Sequence, residues 1–265
     1  MTDTDSLPLA GRSDADLPGH WLLARLGKRV LRPGGLELTG RLLDAARLAD
    51  ADVVELGPGL GRTAADIVAK RPRSYVGVDD TAAATESVRA VVAPVQGTVV
   101  VADAADTGRP SGSADVVIGE AMLTMQGDKA KRAIVAEAFR VLRPGGRYAI
   151  HELGLTPDGI SQQTKDEIRR EMSQAIKVNA RPLTTQEWTR LLTEVGFQIS
   201  SVDHAPMALL NPARVLADEG PLGALRIVGN LIRRGAARRR VIGMRRTFRR
   251  HRRSLTAVAV VGVVP

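Results

Sequence analysis

Gly57, Gly59 and Gly61 alternate with other residues in "ELGPGLGRTAADI", where a short β-branched run gives way to a helical pattern. Glycine in such a turn lets the backbone approach a ligand closely, and a helix that starts there offers N–H groups to it. Alone the signal is weak, because many glycine-rich turns are only tight turns. The acids around it sharpen it. Glu55 lies two residues before the first glycine, and Asp79-Asp80 closes the next β-like run. An acid at that place in an open α/β sheet is positioned to hold a ribose diol. Asp103 sits near the tip of a third run, "VADA". Acids at three consecutive strand ends would form one rim. Arg62 stands where a dinucleotide fingerprint has its last glycine, which turns the reading away from that class.

These residues need a frame. β-Branched runs at 52–57, 74–79, 97–104, 114–121, 146–153, 197–207 and 255–264 read as seven strands. Helical spacing recurs at 19–31, 36–48, 62–71, 82–92, 128–142 and 184–196. Strands alternating with helices predict an α/β fold, a mostly parallel sheet covered on both faces. Residues 1–18 are polar and read as disordered. Residues 19–265 then form one domain, with N-terminal helices over 19–50, a helical cap inserted at 154–183 and an arginine-rich helical insertion at 211–254.

The segments "VVELGPGLG", "YVGVDD", "VADAAD", "ADVVIGEAML" and "RVLRPGGRYAIHEL" occur in the order and at the spacing of class I S-adenosylmethionine-dependent methyltransferases. The chain most resembles their type 11 group and is similar there to the ubiquinone/menaquinone methyltransferases; the resemblance covers roughly residues 36–210. It implies a Rossmann-like seven-stranded sheet in the order 3-2-1-4-5-7-6 with the last strand antiparallel, and S-adenosyl-L-methionine as cofactor. It also implies roles. Glu55 and the Gly57, Gly59, Gly61 turn would hold the methionine moiety, and Asp79 the ribose, with Asp80 beside the adenosine. Asp103 and the backbone at Ala104 would meet the adenine edge, and Glu120 would line the cofactor after strand four.

In methyl transfer the cofactor carries the reactive group and the protein supplies orientation and electrostatics. A general base is needed only when the nucleophile is protonated. Glu120 and His151 are the candidates for that work; His151 reads equally as a hydrogen-bonded strand histidine facing a helix. Glu152, Met122 and Met125 also lie at the open strand ends and are candidate substrate contacts, although the two methionines fit a plain core as well. His20 and Trp21, on the first helix, would touch substrate or pack a lid. "GEAML" after strand four is not an Asn-Pro-Pro-aromatic tetrad, so methylation of a flipped adenine is unsupported. The chain has no cysteine, which excludes thiolate chemistry, disulfides and thiolate-held metals. No metal site is expected. The expected acceptor is small or lipid-like.

Net charge is +9, but the twelve arginines from Gly220 onward face no acid, so residues 1–219 sum to 9 − 12 = −3. The alternative reading is therefore an RNA-binding or RNA-modifying enzyme whose arginine segment tracks phosphates. Only Phe248 offers a stacking ring there, which argues against nucleic acid. Leu225, Val228 and Ile232, and then Val241, Met244 and Phe248, recur at helical spacing and predict two helices that each pack one face on the body. Their basic faces are either solvated or in peripheral contact with an anionic membrane. No stretch reads as a signal peptide or a spanning helix, so a cytoplasmic location is the default expectation.

Overall fold

The computed structural model describes residue 9 and residues 11–265. The expectation of disorder for residues 1–8 and 10 lies outside the described residues. Residues 11–18 lie within the described part and make contacts with the body. Leu17 is fully buried, and Asp14 pairs with both Arg25 and Arg234, so the segment is pinned against the body by charge as well as by packing.

The β-branched runs become β1 (Asp52–Leu56), β2 (Ser74–Asp79), β3 (Thr98–Val101), β4 (Ala114–Glu120), β5 (Leu142–Leu155), β6 (Leu183–Thr184), β7 (Gln198–Pro206) and β8 (Leu255–Val263). The sheet order is β3-β2-β1-β4-β5-β8-β7. β8 is antiparallel to both neighbours, and the remaining pairs are parallel. The expected path is therefore present, with one addition. The two-residue β6 pairs β5 off that path and raises the count from seven to eight among the described residues. β3 ends at Val101, short of the expected 104, so Asp103 lies in the turn beyond it.

Helices α1 (Gly19–Arg25), α2 (Gly35–Ala46), α3 (Arg62–Ala69), α4 (Ala82–Val92), α5 (Asp128–Val141), α6 (Gln162–Ile176), α7 (Thr185–Thr193), α8 (Pro212–Arg233) and α9 (Gly235–Arg250) cover the sheet. α1 stops well before the expected residue 31, because Gly27 takes a φ of 100° that no right-handed helix accommodates. α7 starts on a full capping box in which Thr184 and Glu187 exchange hydrogen bonds.

Alternation along the strands divides the core in two. Val54, Leu56, Val117 and Ile150 face α5 and α7, while Val53, Val116, Ala149 and Val261 face α2, α3 and α4. A third cluster joins α1, α6 and α9 through Leu22, Met172, Met244 and Phe248. After β1 the chain builds β2 and β3 on one side, and β4 then lies on the other side of β1. The carboxyl ends of β1 and β4 thus flank the reversal of strand order, where an open α/β sheet has its crevice.

Candidate active site

The turn after β1 holds Gly57, Gly59 and Gly61 at φ of 66°, 54° and 73°, a conformation that side chains with a Cβ rarely adopt. Their own N–H groups are not free. Gly57 donates to the Val78 carbonyl, Gly61 to that of Pro58, and Gly59 to Asp79 Oδ2 at 3.2 Å. What the turn exposes instead is the start of α3. Gly61 is its N-cap and no side chain caps it, so the first-turn N–H groups face the opening beside Arg62 and Thr63.

A cavity of about 440 Å3 lies over this turn. Gly57, Gly59, Asp79, Asp80, Asp103 and Ala104 line one end of it. Asp79 is nearly buried; burial raises its pKa, against hydrogen bonds from the Thr81 and Gly59 N–H groups. His20, Trp21, Glu120, Met122 and Met125 line it as well. Gly61 does not line the cavity; Val88 and Val91 pack against it.

Three expected site residues do not reach the cleft. Glu55 is 2% exposed, beneath the turn, and accepts a hydrogen bond from the Tyr75 hydroxyl at 2.6 Å. Burial, reinforced by the charge on Glu120, pushes its carboxyl up to about 8 against that hydrogen bond. Its folded pKa lies above the model-peptide value of 4.5, so its burial costs stability as pH rises from there through 8. Glu55→Gln is expected to stabilise the fold by about 4 kcal/mol at pH 8 and by almost nothing near pH 4.5. Urea unfolding at the two pH values measures this, and an equal effect at both would remove the ionisation account.

Glu152 is fully buried and accepts from the N–H groups of Met122, Leu123 and Thr124 and from the Thr124 hydroxyl. It ties the turn after β4 to β5 and is closed to substrate. His151 is also fully buried. Its Nε2 accepts from the Gly34 N–H at 3.0 Å, which leaves Nδ1 as the protonated nitrogen, 2.9 Å from Glu120 Oε1. An imidazole with both nitrogens engaged and no exposure is not available as a general base.

The Glu120 carboxylate is engaged at both oxygens. Thr39 and His151 donate to one of its oxygens, Thr63 and Arg32 to the other. Burial would raise its pKa, but the Arg32 charge and the hydrogen bonds from His151 and Thr39 outweigh this and hold it at about 2. Sequence reading missed Arg32, Thr39 and Thr63. Thr39 carried a signal: it sits on the buried leucine stripe of α2, where a hydroxyl needs a partner.

A second, apolar cavity of about 100 Å3 lies beside the first. The two share His20, Leu31, Ala121 and Met125. Its deeper walls are Leu23, Met172, Ile176, Met244 and Phe248, from α1, α6 and α9. At the junction Ala121 is held at a φ of 54°, a strained conformation for alanine, with its N–H fixed on the His151 carbonyl. Burial pulls the pKa of His20 down to about 4, so its ring is neutral at pH 7. No hydrogen bond to it is found among the described residues.

Comparison with known proteins agrees with this geometry. Residues 53–146 match the family model described as "Methyltransferase domain". A Haemophilus influenzae protein described only as uncharacterized is 35% identical over 223 residues, which is 82% of this chain and 87% of that protein. A Mycolicibacterium smegmatis protein named "Probable S-adenosylmethionine-dependent methyltransferase" is 32% identical over 58% of this chain and 55% of its own length. The structure of Haemonchus contortus phosphoethanolamine N-methyltransferase 2, in complex with phosphomonomethylethanolamine and S-adenosylhomocysteine, superposes with a TM-score of 0.70 at 16% identity. It covers 98% of this chain and 60% of that one. At that identity the likeness is one of fold.

Proposed function

The chain belongs to the class I S-adenosylmethionine-dependent methyltransferases, and from that premise we propose that its acceptor is a small, largely apolar molecule entering beside His20. The observation that carries this reading is the apolar branch, which meets the main cleft at His20, Leu31, Ala121 and Met125. A cavity walled by methionine, leucine and phenylalanine takes an aliphatic or lipid-like body and adapts to its shape.

S-Adenosylmethionine supplies the activated methyl group. Its donor set suits the main cleft. Both Asp79 oxygens keep a lone pair for ribose hydroxyls after accepting from Thr81 and Gly59. Val78, Ala102 and Ile134 offer apolar walls to the adenine. The uncapped start of α3 and the guanidinium of Arg29 suit the carboxylate of the methionine end.

On the acceptor side His20 holds the reacting group. A neutral imidazole accepts a hydrogen bond from a hydroxyl and orients its lone pair toward the cleft. Because the ring titrates near 4, the rate is expected to stay level between pH 6 and 8, with no inflection at the ordinary histidine value of about 6.5. His20→Phe keeps the ring packing and removes the acceptor nitrogen. It is expected to lower kcat/KM about tenfold to a hundredfold while leaving cofactor affinity unchanged in calorimetry. A level kcat/KM in the variant would remove His20 from the reaction. Incubating metabolite extracts with methyl-labelled cofactor tests the acceptor class: label in the organic phase supports it, and label confined to RNA or to polar metabolites overturns it.

A further inference from the structure

The two stripes expected to pack α8 and α9 behave differently. On α9 the stripe does pack: Met244 and Phe248 are buried and Val241 is half-buried. On α8 it does not. Leu225, Val228 and Ile232 are 68%, 51% and 68% exposed, and Leu222 is 83% exposed. The reason lies in how α8 is anchored. Its first half is tied down by Asp218, which accepts from the Leu36 N–H, and by Glu219, which accepts from Arg29 and Val30. Gly220 then leaves helical geometry at φ 71°, and the second half resumes with a different side inward. That side carries Ile227 and Asn230, the latter donating to the Leu26 carbonyl. At 100° per residue the four exposed aliphatics fall within an arc of about 120°, roughly opposite Ile227.

The neighbouring helix supplies the charge. Arg238, Arg239, Arg245, Arg246 and Arg249 on α9, and Arg233 at the end of α8, are exposed and have no ion-pair partner among the described residues. No acid lies between residues 220 and 254. By contrast Arg234, Arg240 and Arg250, on the sides turned to the body, meet Asp14, the Leu17 carbonyl and Glu171.

We infer that α8 and α9 together form a docking face for an anionic lipid bilayer. An aliphatic stripe on one helix and, on the adjoining helix, arginines without an ion-pair partner among the described residues supply the two components of such a contact: apolar side chains that insert below the headgroups and cations that stay among the phosphates. A second copy of the chain is a poor occupant, because the same unpaired arginines would face each other. Nucleic acid would leave the aliphatic stripe without a partner. Among the described residues no helix is long and apolar enough to cross a membrane, so this contact is peripheral. The inner side of α9 walls the apolar branch through Met244 and Phe248, so the bilayer would sit against the helix that lines that cavity.

The test uses the full chain and needs no methyl acceptor. Sedimentation with phosphatidylcholine vesicles, with and without phosphatidylglycerol, is expected to show binding only to the mixed vesicles. Each arginine near an anionic surface contributes about fivefold. Arg245→Gln, Arg246→Gln and Arg249→Gln together should therefore weaken binding about a hundredfold. Leu225→Ser with Ile232→Ser should weaken it at least tenfold at unchanged charge. All five positions are exposed, so circular dichroism and melting should match the parent chain. Three results would overturn the proposal: no binding to the mixed vesicles, binding indifferent to the serine pair, or a dimer in sedimentation equilibrium that the serine pair dissolves. Retention of RNA with no vesicle binding would reassign the face to nucleic acid.

Discussion

Asp79→Ala is expected to weaken S-adenosylmethionine binding about a hundredfold. The carboxylate sits at the end of β2, 9% exposed, with Oδ1 2.9 Å from the Thr81 N–H and Oδ2 3.2 Å from the Gly59 N–H. Those two bonds fix its plane and leave one lone pair on each oxygen for a diol. Hydrogen bonds to an ionised group contribute about 1.5–3 kcal/mol each. Two at the wet rim of a cleft, discounted for solvent, come to about 3 kcal/mol, or a hundredfold in Kd. Alanine frees two N–H groups where water can reach them, so the fold should survive. Asp80→Ala is the control. Asp80 is exposed and among the described residues accepts only from the Thr81 hydroxyl, and its loss should change affinity by no more than a few-fold. Calorimetry with the cofactor and with its demethylated product reads both variants. Unchanged affinity in Asp79→Ala would displace the ribose from β2, and NADH binding without any response to either ligand would undo the cofactor assignment of the whole cleft.

The elements of this fold were legible because their signals are local. A β-branched run such as "DVVEL" reads as a buried strand wherever it sits, and the arginine segment read as two helices that the structure places at 212–233 and 235–250. The glycine turn and Asp79 were legible for the same reason: a strand end and the turn beside it are adjacent in sequence. Orientation was less so. Glu55, His151 and Glu152 occupy strand ends as expected, yet all three side chains point into the sheet's flanking layers, and nothing in their neighbouring residues says which acid at a strand end turns inward. The partners that fix them lie far along the chain. Gly34 holds His151 across 117 positions, and Tyr75 holds Glu55 across 20. The α8 stripe failed by a related route. Its spacing was right, but Gly220 rotates the second half of the helix and turns the stripe outward.

The same long-range polar contacts make Glu120→Ala the most destabilising change expected near the cleft, about 3–5 kcal/mol at pH 7, with melting lowered by roughly 10 °C. Four donors converge on this carboxylate from α2, α3, β5 and the loop before α2. They are the hydroxyls of Thr39 and Thr63, each at 2.6 Å, His151 Nδ1 at 2.9 Å and Arg32 Nε at 3.2 Å. Removing it strands a guanidinium only 5% exposed, with Asp66 at 3.4 Å as its remaining acid. The pKa leads to the same magnitude. A carboxylate at about 2 in the fold and 4.5 in model peptides contributes about 3 kcal/mol. Because the folded value is depressed, that contribution is fully present above about 4.5 and is lost as pH falls toward 2. The stability gap between parent and variant should therefore narrow across that window. Glu120→Gln separates anchoring from chemistry. It keeps the shape and one acceptor oxygen, so an anchoring residue loses part of the stability while activity follows the folded fraction. If instead kcat collapses in a variant as stable as the parent, Glu120 acts on the acceptor, and the reading of this network as a buried anchor for the cleft fails.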